Sequence, residues 1–378
     1  MKTKFILKSA LLGCVTSVVM TSCDSKPNTA AEQQKEVKDS IVKENQEISL
    51  KPSGQAPEWG TSIKDEMAVV IEKLSALGGK PIETLGAKEA RMQPTPTDAV
   101  MLVMKDHGMI MPPALCDTMG IEIPVSGGKT RLRIYTPKES AATYPIIVYY
   151  HGGGWVIADI NVYNSSAQAL CEQTGAVVVS VEYPKGPEHK FPAAHLTAFS
   201  AYEWVTKNAS SIKGDPAKIA LVGESAGGNL AANVSIMARD KKITMPVYEV
   251  LVYPVANNDM STESYTTYAN AKPLNKAMMS WFVKNAIGSP TKAADTRISL
   301  VNANLKGLPP TLIIGAEIDP LQTEGELLSD KLKDADVKTE YELYRGVTHE
   351  FFGMAAVVPQ AKDAQALAAK KLKNAFNK

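Results

Sequence analysis

Several signatures are missing from this chain, and each absence narrows what it can be. Its five histidines and four cysteines form no cluster with zinc-ligand spacing. Neither a P-loop nor a dinucleotide fingerprint is present, so no metal or cofactor is expected. Charge is nearly balanced, 41 basic against 40 acidic residues, and no basic stripe marks a nucleic-acid surface. The apolar stretch over residues 5–20 is too short and interrupted to span a bilayer comfortably. No internal repeat is visible. Cysteine is too scarce for a disulfide framework: Cys14 and Cys23 fall near the N-terminus, and Cys116 and Cys171 could pair or stay two buried thiols. About 260 residues remain in the C-terminal part, enough for one large core without metal or disulfide support.

What is present is a pair of glycine-rich motifs in a fixed order. His151-Gly152-Gly153-Gly154-Trp155 comes first, and Gly223-Glu224-Ser225-Ala226-Gly227-Gly228 follows about seventy residues later. Each comes after a short apolar run that reads as a buried strand, PIIVYY over 145–150 and KIALV over 218–222. A G-x-S-x-G between strand and helix is a nucleophile elbow: the tight turn strains the backbone at the serine and lifts its Oγ out of the sheet. The bare backbone of an H-G-G-G loop brings N–H groups close to a developing negative charge. Either motif alone is a common turn; the two in this order are specific.

A serine nucleophile needs a base, and the base an orienting acid. Only His349 lies after Ser225; His107, His151, His189 and His195 all precede it. His349 follows the strand-like TEYELY (339–344), and Asp319 follows the apolar run PTLIIGA (310–316). The chain order Ser, acid, His of this arrangement puts the acid on that loop. Glu317 and Glu324 are nearby rivals, and Asp319 would also serve to cap a helix opening after Pro320.

With these residues in view, the chain resembles the hormone-sensitive-lipase-like (HGGG/GxSxG) branch of the α/β-hydrolases. HGGGW and GESAGG match its two signatures, with Glu224 where many members carry Asp. Asp319-Pro320-Leu321 matches its D-P-L block, and His349 with Phe351 its H-x-F block. Residues 181–194 are similar to its D-Y-R-L-A-P-E-H segment but depart at Pro184, Lys185 and Gly186. The resemblance implies an α/β-hydrolase fold, a mostly parallel sheet flanked by helices with an N-terminal helical cap. It also implies structural roles for His151, buttressing the oxyanion loop, and for His189, pinning a turn. His195 is expected half-exposed on a helix.

The N-terminus resembles a bacterial lipoprotein signal. Lys2, Lys4 and Lys8 form a basic segment, and Met20-Thr21-Ser22-Cys23 ends the apolar stretch. Processing would make Cys23 the lipidated first residue and leave 38 basic against 40 acidic residues. Residues 24–57 are polar enough to read as a flexible tether, its ends on the order of 30 Å apart. Residues 58–115 are expected to form the cap segment: apolar positions from Ile63 to Leu77 fall at helical spacing, a second helix covers 98–105, and Met92, Met101, Met104, Met109 and Met111 would suit an adaptable pocket wall. From 116 to 378 strand and helix signals alternate, opening with a hairpin around residues 126–128 and interrupted over 257–305, where a second piece of the cap is expected.

The sequence therefore leads to an exported, lipid-anchored serine carboxylesterase on the periplasmic or cell-surface side of a bacterial membrane, acting on short- to medium-chain esters through an acyl-enzyme. Ser225, His349 and Asp319 would form its triad. Gly153, Gly154 and Ala226 would supply the oxyanion hole, with Gly152 shaping that loop. A small-molecule ester is the expected substrate, nucleic acid is not expected, and a homodimer is left open. Amide or carbamate hydrolysis on the same triad, or a binding protein without catalysis, are the alternatives.

Overall fold

Near-continuous apolar runs along the central strands build a sheet buried on both faces. The computed structural model describes residues 29–377, and the expected signal and Cys23 lie outside the described residues. Eight strands, β1 (Cys116–Val125), β2 (Gly128–Pro137), β3 (Tyr144–Tyr150), β4 (Val177–Glu182), β5 (Gly214–Glu224), β6 (Tyr248–Val252), β7 (Thr311–Ile318) and β8 (Thr339–Thr348), form one sheet in the order β1-β2-β4-β3-β5-β6-β7-β8. β1 and β2 are the expected antiparallel hairpin, β2 also runs antiparallel to β4, and the remaining pairs are parallel. Along β3, Ile146, Val148 and Tyr150 face one core while Ile147 and Tyr149 face the other, the two-residue period of a strand.

The helices are α1 (Ala30–Gln46), α2 (Asp65–Ala76), α3 (Ala87–Ala90), α4 (Pro96–Asp106), α5 (Asn164–Thr174), α6 (Ala193–Asn208), α7 (Ala226–Asp240), α8 (Glu263–Thr267), α9 (Lys276–Phe282), α10 (Pro290–Ala293), α11 (Gln322–Asp334) and α12 (Pro359–Phe376). α6, α7 and α11 cover one face of the sheet, and α2, α4, α5 and α12 the other.

Two expectations are corrected here. Residues 24–57 are not one flexible tether, because 30–46 form α1, opened by a capping box of Thr29 and Glu32. This arm docks through polar groups rather than an apolar stripe. Lys38 pairs with Glu172, the Asn45 amide exchanges two hydrogen bonds with the backbone of Ile110 (2.8 and 3.0 Å), and Glu72 accepts from Ser53 N and Gly54 N. Leu50 is buried behind it.

The second correction concerns the cap. α2 and α4 pack against the sheet core through Met67, Val70, Val103 and Met104; only the end of α2 and the stretch around residues 79–96 reach the cavity described below. The methionines expected to line it do not: Met92 and Met101 are 75 % and 48 % exposed, and Met104 is core. Met260, Met278 and Met279, from the 257–305 segment, line it instead.

Candidate active site

The elbow is assembled by backbone sterics. Ser225 joins β5 to α7 at φ 56°, ψ −119°, a conformation costing of order 1–3 kcal/mol that persists only where surroundings impose it. They do so here. Ser225 N donates to Val252 O (2.8 Å), and Ser225 O accepts from Val255 N (3.2 Å). A Cβ at Gly223 would strike the Gly227 carbonyl, and one at Gly227 the carbonyls of Tyr150 and His151.

Below the serine, Glu224 points into the interior. Its carboxylate accepts from the hydroxyls of Tyr149 and Tyr253, each at 2.5 Å. Burial pushes its pKa up to about 6 even against those hydrogen bonds.

Ser225, Asp319 and His349 lie at the C-terminal ends of β5, β7 and β8 and meet there. His349 Nε2 is 2.9 Å from Ser225 Oγ, and His349 Nδ1 is 2.6 Å from Asp319 Oδ2. A carboxylate only accepts, so the ring proton sits on Nδ1 and Nε2 is free to accept from the serine. Burial works against the imidazolium, but the charge and hydrogen bond of Asp319 outweigh it and hold the His349 pKa above its ordinary value. Asp319 Oδ1 also accepts from Leu321 N (2.9 Å), so one carboxylate orients the histidine and caps the turn after Pro320. The rival carboxylates point elsewhere. Glu317 accepts from Gly346 N (2.6 Å), and buried Glu324 from Ala256 N and Asn257 N.

The glycine loop lies across the same opening. Gly153 and Gly154 (φ 101° and 58°) line the cavity with Ser225 and His349. A Cβ on Gly154 would enter the Phe282 ring, and one on Gly152 the Tyr163 hydroxyl. Ala226 opens α7, where backbone N–H groups have no intrahelical partner. His151 Nδ1 lies 2.7 Å from Gly152 O, and its ring stacks on Tyr183 at 4.2 Å. Burial drops its pKa to about 4, a neutral ring supporting the loop. His189 is exposed and His107 ends α4.

His195 is not half-exposed. It is buried and bonded to Asn229 Oδ1 (2.9 Å), and burial lowers its pKa to about 4. The Asn229 amide in turn donates to Val255 O and Ile298 O, tying α7 to the 257–305 segment; no sequence pattern singled it out. Cys116 and Cys171 are both buried and free.

The cavity above the serine has a volume of about 560 Å³, within the usual range for small-molecule sites. Ile82 and Leu74 wall it from the N-terminal side, Met260, Met279 and Phe282 from the other. These walls are joined by Trp281 Nε1 donating to Leu85 O (3.0 Å) and Asn275 Nδ2 to Glu83 Oε1 (3.3 Å). Among the described residues no group of acidic, histidine or cysteine side chains could hold a metal ion, and no helix is long and apolar enough to cross a membrane.

Comparison with known proteins agrees with this architecture. Residues 147–353 match the family described as alpha/beta hydrolase fold. The carboxylesterase NlhH of Mycobacterium tuberculosis is 35% identical over 274 residues, 70% of this chain and 86% of the relative. An ethyl acetate hydrolase of Pseudomonas putida is 27% identical over 311 residues, 80% and 96% of the two chains. Among solved structures, an esterase of Pyrobaculum calidifontis superposes with a TM-score of 0.72 at 35% identity, covering 80% of this chain and 96% of the other.

Proposed function

The chain belongs to the α/β-hydrolase fold family and is a carboxylic ester hydrolase, and from that premise we propose that Ser225, His349 and Asp319 carry the reaction on short- to medium-chain esters. The observation behind this reading is the unbroken line Asp319 Oδ2–His349 Nδ1 and His349 Nε2–Ser225 Oγ at the floor of the cavity. Ser225 Oγ attacks the ester carbonyl carbon while His349 Nε2 takes its proton. The N–H groups of Gly153, Gly154 and Ala226 hold the resulting oxyanion, each such donor typically worth about 3 kcal/mol of barrier. Collapse of the tetrahedral species expels the alcohol, which takes the proton from His349. Water, deprotonated by the same histidine, then releases the acid from the acyl-serine.

A chain-length series of 4-nitrophenyl esters tests the substrate class. Each methylene that finds apolar wall adds up to about 0.8 kcal/mol, so kcat/KM rises up to about fourfold per carbon and falls once the cavity is full. A series that climbs without a maximum to long chains overturns the size assignment. A fluorophosphonate probe labels Ser225; labelling of another serine overturns the triad.

The chain is exported and held on a membrane through lipidated Cys23. The basic segment, the apolar stretch and the cysteine after small residues support this reading. With α1 beginning at Ala30, six residues separate Cys23 from that helix, a reach of roughly 25 Å. The anchored protein therefore stays with membranes through a high-salt wash, which releases purely electrostatic attachment. A soluble chain with no acyl mass on its N-terminal peptide overturns it.

A further inference from the structure

Outside the line of Ser225, His349 and Asp319, the fold keeps one more carboxylate beside the base, in a strained position. Glu350 follows His349 directly at φ 69°, ψ 6°. This is the left-handed region, which strains a side chain and which glycine enters freely. The residue is part-buried and lines the cavity. Its Oε1 accepts a 2.7 Å hydrogen bond from the Tyr163 hydroxyl.

Tyr163 belongs to the opposite side of the site. It immediately precedes α5 and is buried, and its ring centroid lies 5.8 Å from that of His151. Its hydroxyl fills the space that a Cβ on Gly152 would need. A single hydrogen bond between residues 187 apart in sequence thus ties the loop bearing the base to the first glycine of the oxyanion loop.

We propose that Glu350 is a positioning residue for ester hydrolysis: through Tyr163 it keeps the oxyanion loop in register with His349, and through its negative charge it favours the imidazolium that forms at His349. The inference rests on the triad reading above. The proton leaving Ser225 Oγ arrives on His349 Nε2, so the ring becomes a cation while the substrate oxygen becomes an anion. Both must be served at once by two loops with no covalent tie between them. Tyr163 supplies the tie, and Glu350 holds it while facing the new cation.

Four elements bear on the ring. Asp319 comes from the end of β7, Glu224 from the end of β5, Glu350 from its own loop, and the neutral Tyr253 ring from the end of β6 at 4.5 Å. Glu350 itself faces His349 and Tyr163, with the charge of Asp319 close by. Burial raises its pKa, opposed by the His349 charge and by the Tyr163 hydrogen bond. Protonating His349 therefore favours the ionised carboxylate, and the ionised carboxylate favours the protonated ring. Asp319 is committed to Nδ1 and Glu224 to its two tyrosines, which leaves Glu350 as the charge that can be removed without breaking either set.

The test is kcat and KM against pH for the wild-type enzyme, Glu350→Gln, Glu350→Ala, Tyr163→Phe and the Glu350→Ala/Tyr163→Phe double variant. Glutamine keeps an acceptor for Tyr163 and loses only the charge. His349 must be neutral to accept the proton, so activity falls on acidification through its pKa; removing the nearby charge lowers that pKa. The acid limb of kcat/KM in Glu350→Gln moves down by about half to one pH unit. Alanine also cuts the tie: kcat falls about tenfold, the scale of one lost hydrogen bond to a charged group, with KM changed less than about threefold. Tyr163→Phe lowers kcat comparably, and the double variant is no worse than the worse single, because both remove the same link. Superimposable acid limbs for wild type and Glu350→Gln overturn the electrostatic half. Losses that multiply in the double variant overturn the coupling. A wild-type enzyme that turns over esters while failing these criteria refutes this inference alone, whereas loss of the triad reading shows as fluorophosphonate labelling away from Ser225.

Discussion

The floor and the wall of the cavity are built by different physics. The floor, from β5 through Ser225 into α7, is held by backbone: a positive φ at the serine and glycines whose Cβ atoms would collide with main-chain carbonyls. The wall is held by side chains from segments nearly two hundred residues apart, Trp281 reaching Leu85 O and Asn275 reaching Glu83, with Phe282 against Gly154. A floor held by main-chain sterics has no slack, while side chains in a wall can repack. Changes to the floor should abolish turnover or the fold, and changes to the wall should redirect selectivity.

The largest expected effect is at the floor. Asp319→Asn leaves the serine in place but favours the wrong histidine tautomer, lowering kcat about 10⁴-fold. Glu317→Gln, whose side chain is turned to the Gly346 amide and Arg345, changes kcat little. Steady-state kinetics of the two purified variants decide it, and the reverse ranking would move the acid to Glu317.

Next comes backbone sterics. Gly227→Ala drives a Cβ into two carbonyls and lowers unfolding free energy by over about 3 kcal/mol. Gly175→Ala, at a positive φ but with open space around its Cβ, costs only about 1 kcal/mol. Equal denaturant midpoints for the two would mean that the elbow relaxes, and the contrast between floor and wall would fail.

A third effect lies in the sheet beneath. Glu249 on β6 is buried, accepts from Ser235 and Thr311 hydroxyls (2.7 and 2.9 Å), and is pushed by burial to a pKa of about 7. An acid raised in the folded state keeps its proton where the unfolded chain has lost it, so its contribution fades as pH rises from about 4.5 to 7. Above that range the cost approaches about 3 kcal/mol. Glu249→Gln, neutral at every pH, should flatten the loss of stability across this window, as read from melting temperatures at pH 5 and 8. An unchanged slope refutes the shift.

The smallest effect on catalysis belongs to the wall. Phe282→Ala opens the cavity over Gly154 and moves the acyl-chain optimum to longer esters, by up to about fourfold in kcat/KM per added methylene. Its effect on stability is on the scale of a buried aromatic, about 3 kcal/mol. An optimum that stays put while kcat collapses would place Phe282 with the floor.

Legibility followed the same division. The strands, the hairpin and the main helices around the sheet were readable because apolar runs and helical spacing are local signals. The chain order Ser225, Asp319, His349 was readable because each follows an apolar run. The docked arm α1 was not, since its attachments, among them an ion pair, a lysine donating to Gln34 and an amide finding the Ile110 backbone, leave no periodicity. Nor was the source of the cavity methionines: Met104 and Met278 stand in similar helical contexts, and only packing sends the first into the core and the second into the cavity. Buried His195 went unread because its partner Asn229 lies 34 residues away.

Sequence by itself determined the elbow, the strand faces and the order of reacting groups, because sterics at glycine and side-chain periodicity act over a few residues. Tertiary structure alone decided where the rival carboxylates Glu317 and Glu324 turn, what walls the cavity, and that Glu350 reaches Tyr163. Those outcomes depend on where loops at the ends of separate strands converge, a distance set by the packing of the whole sheet and its helices.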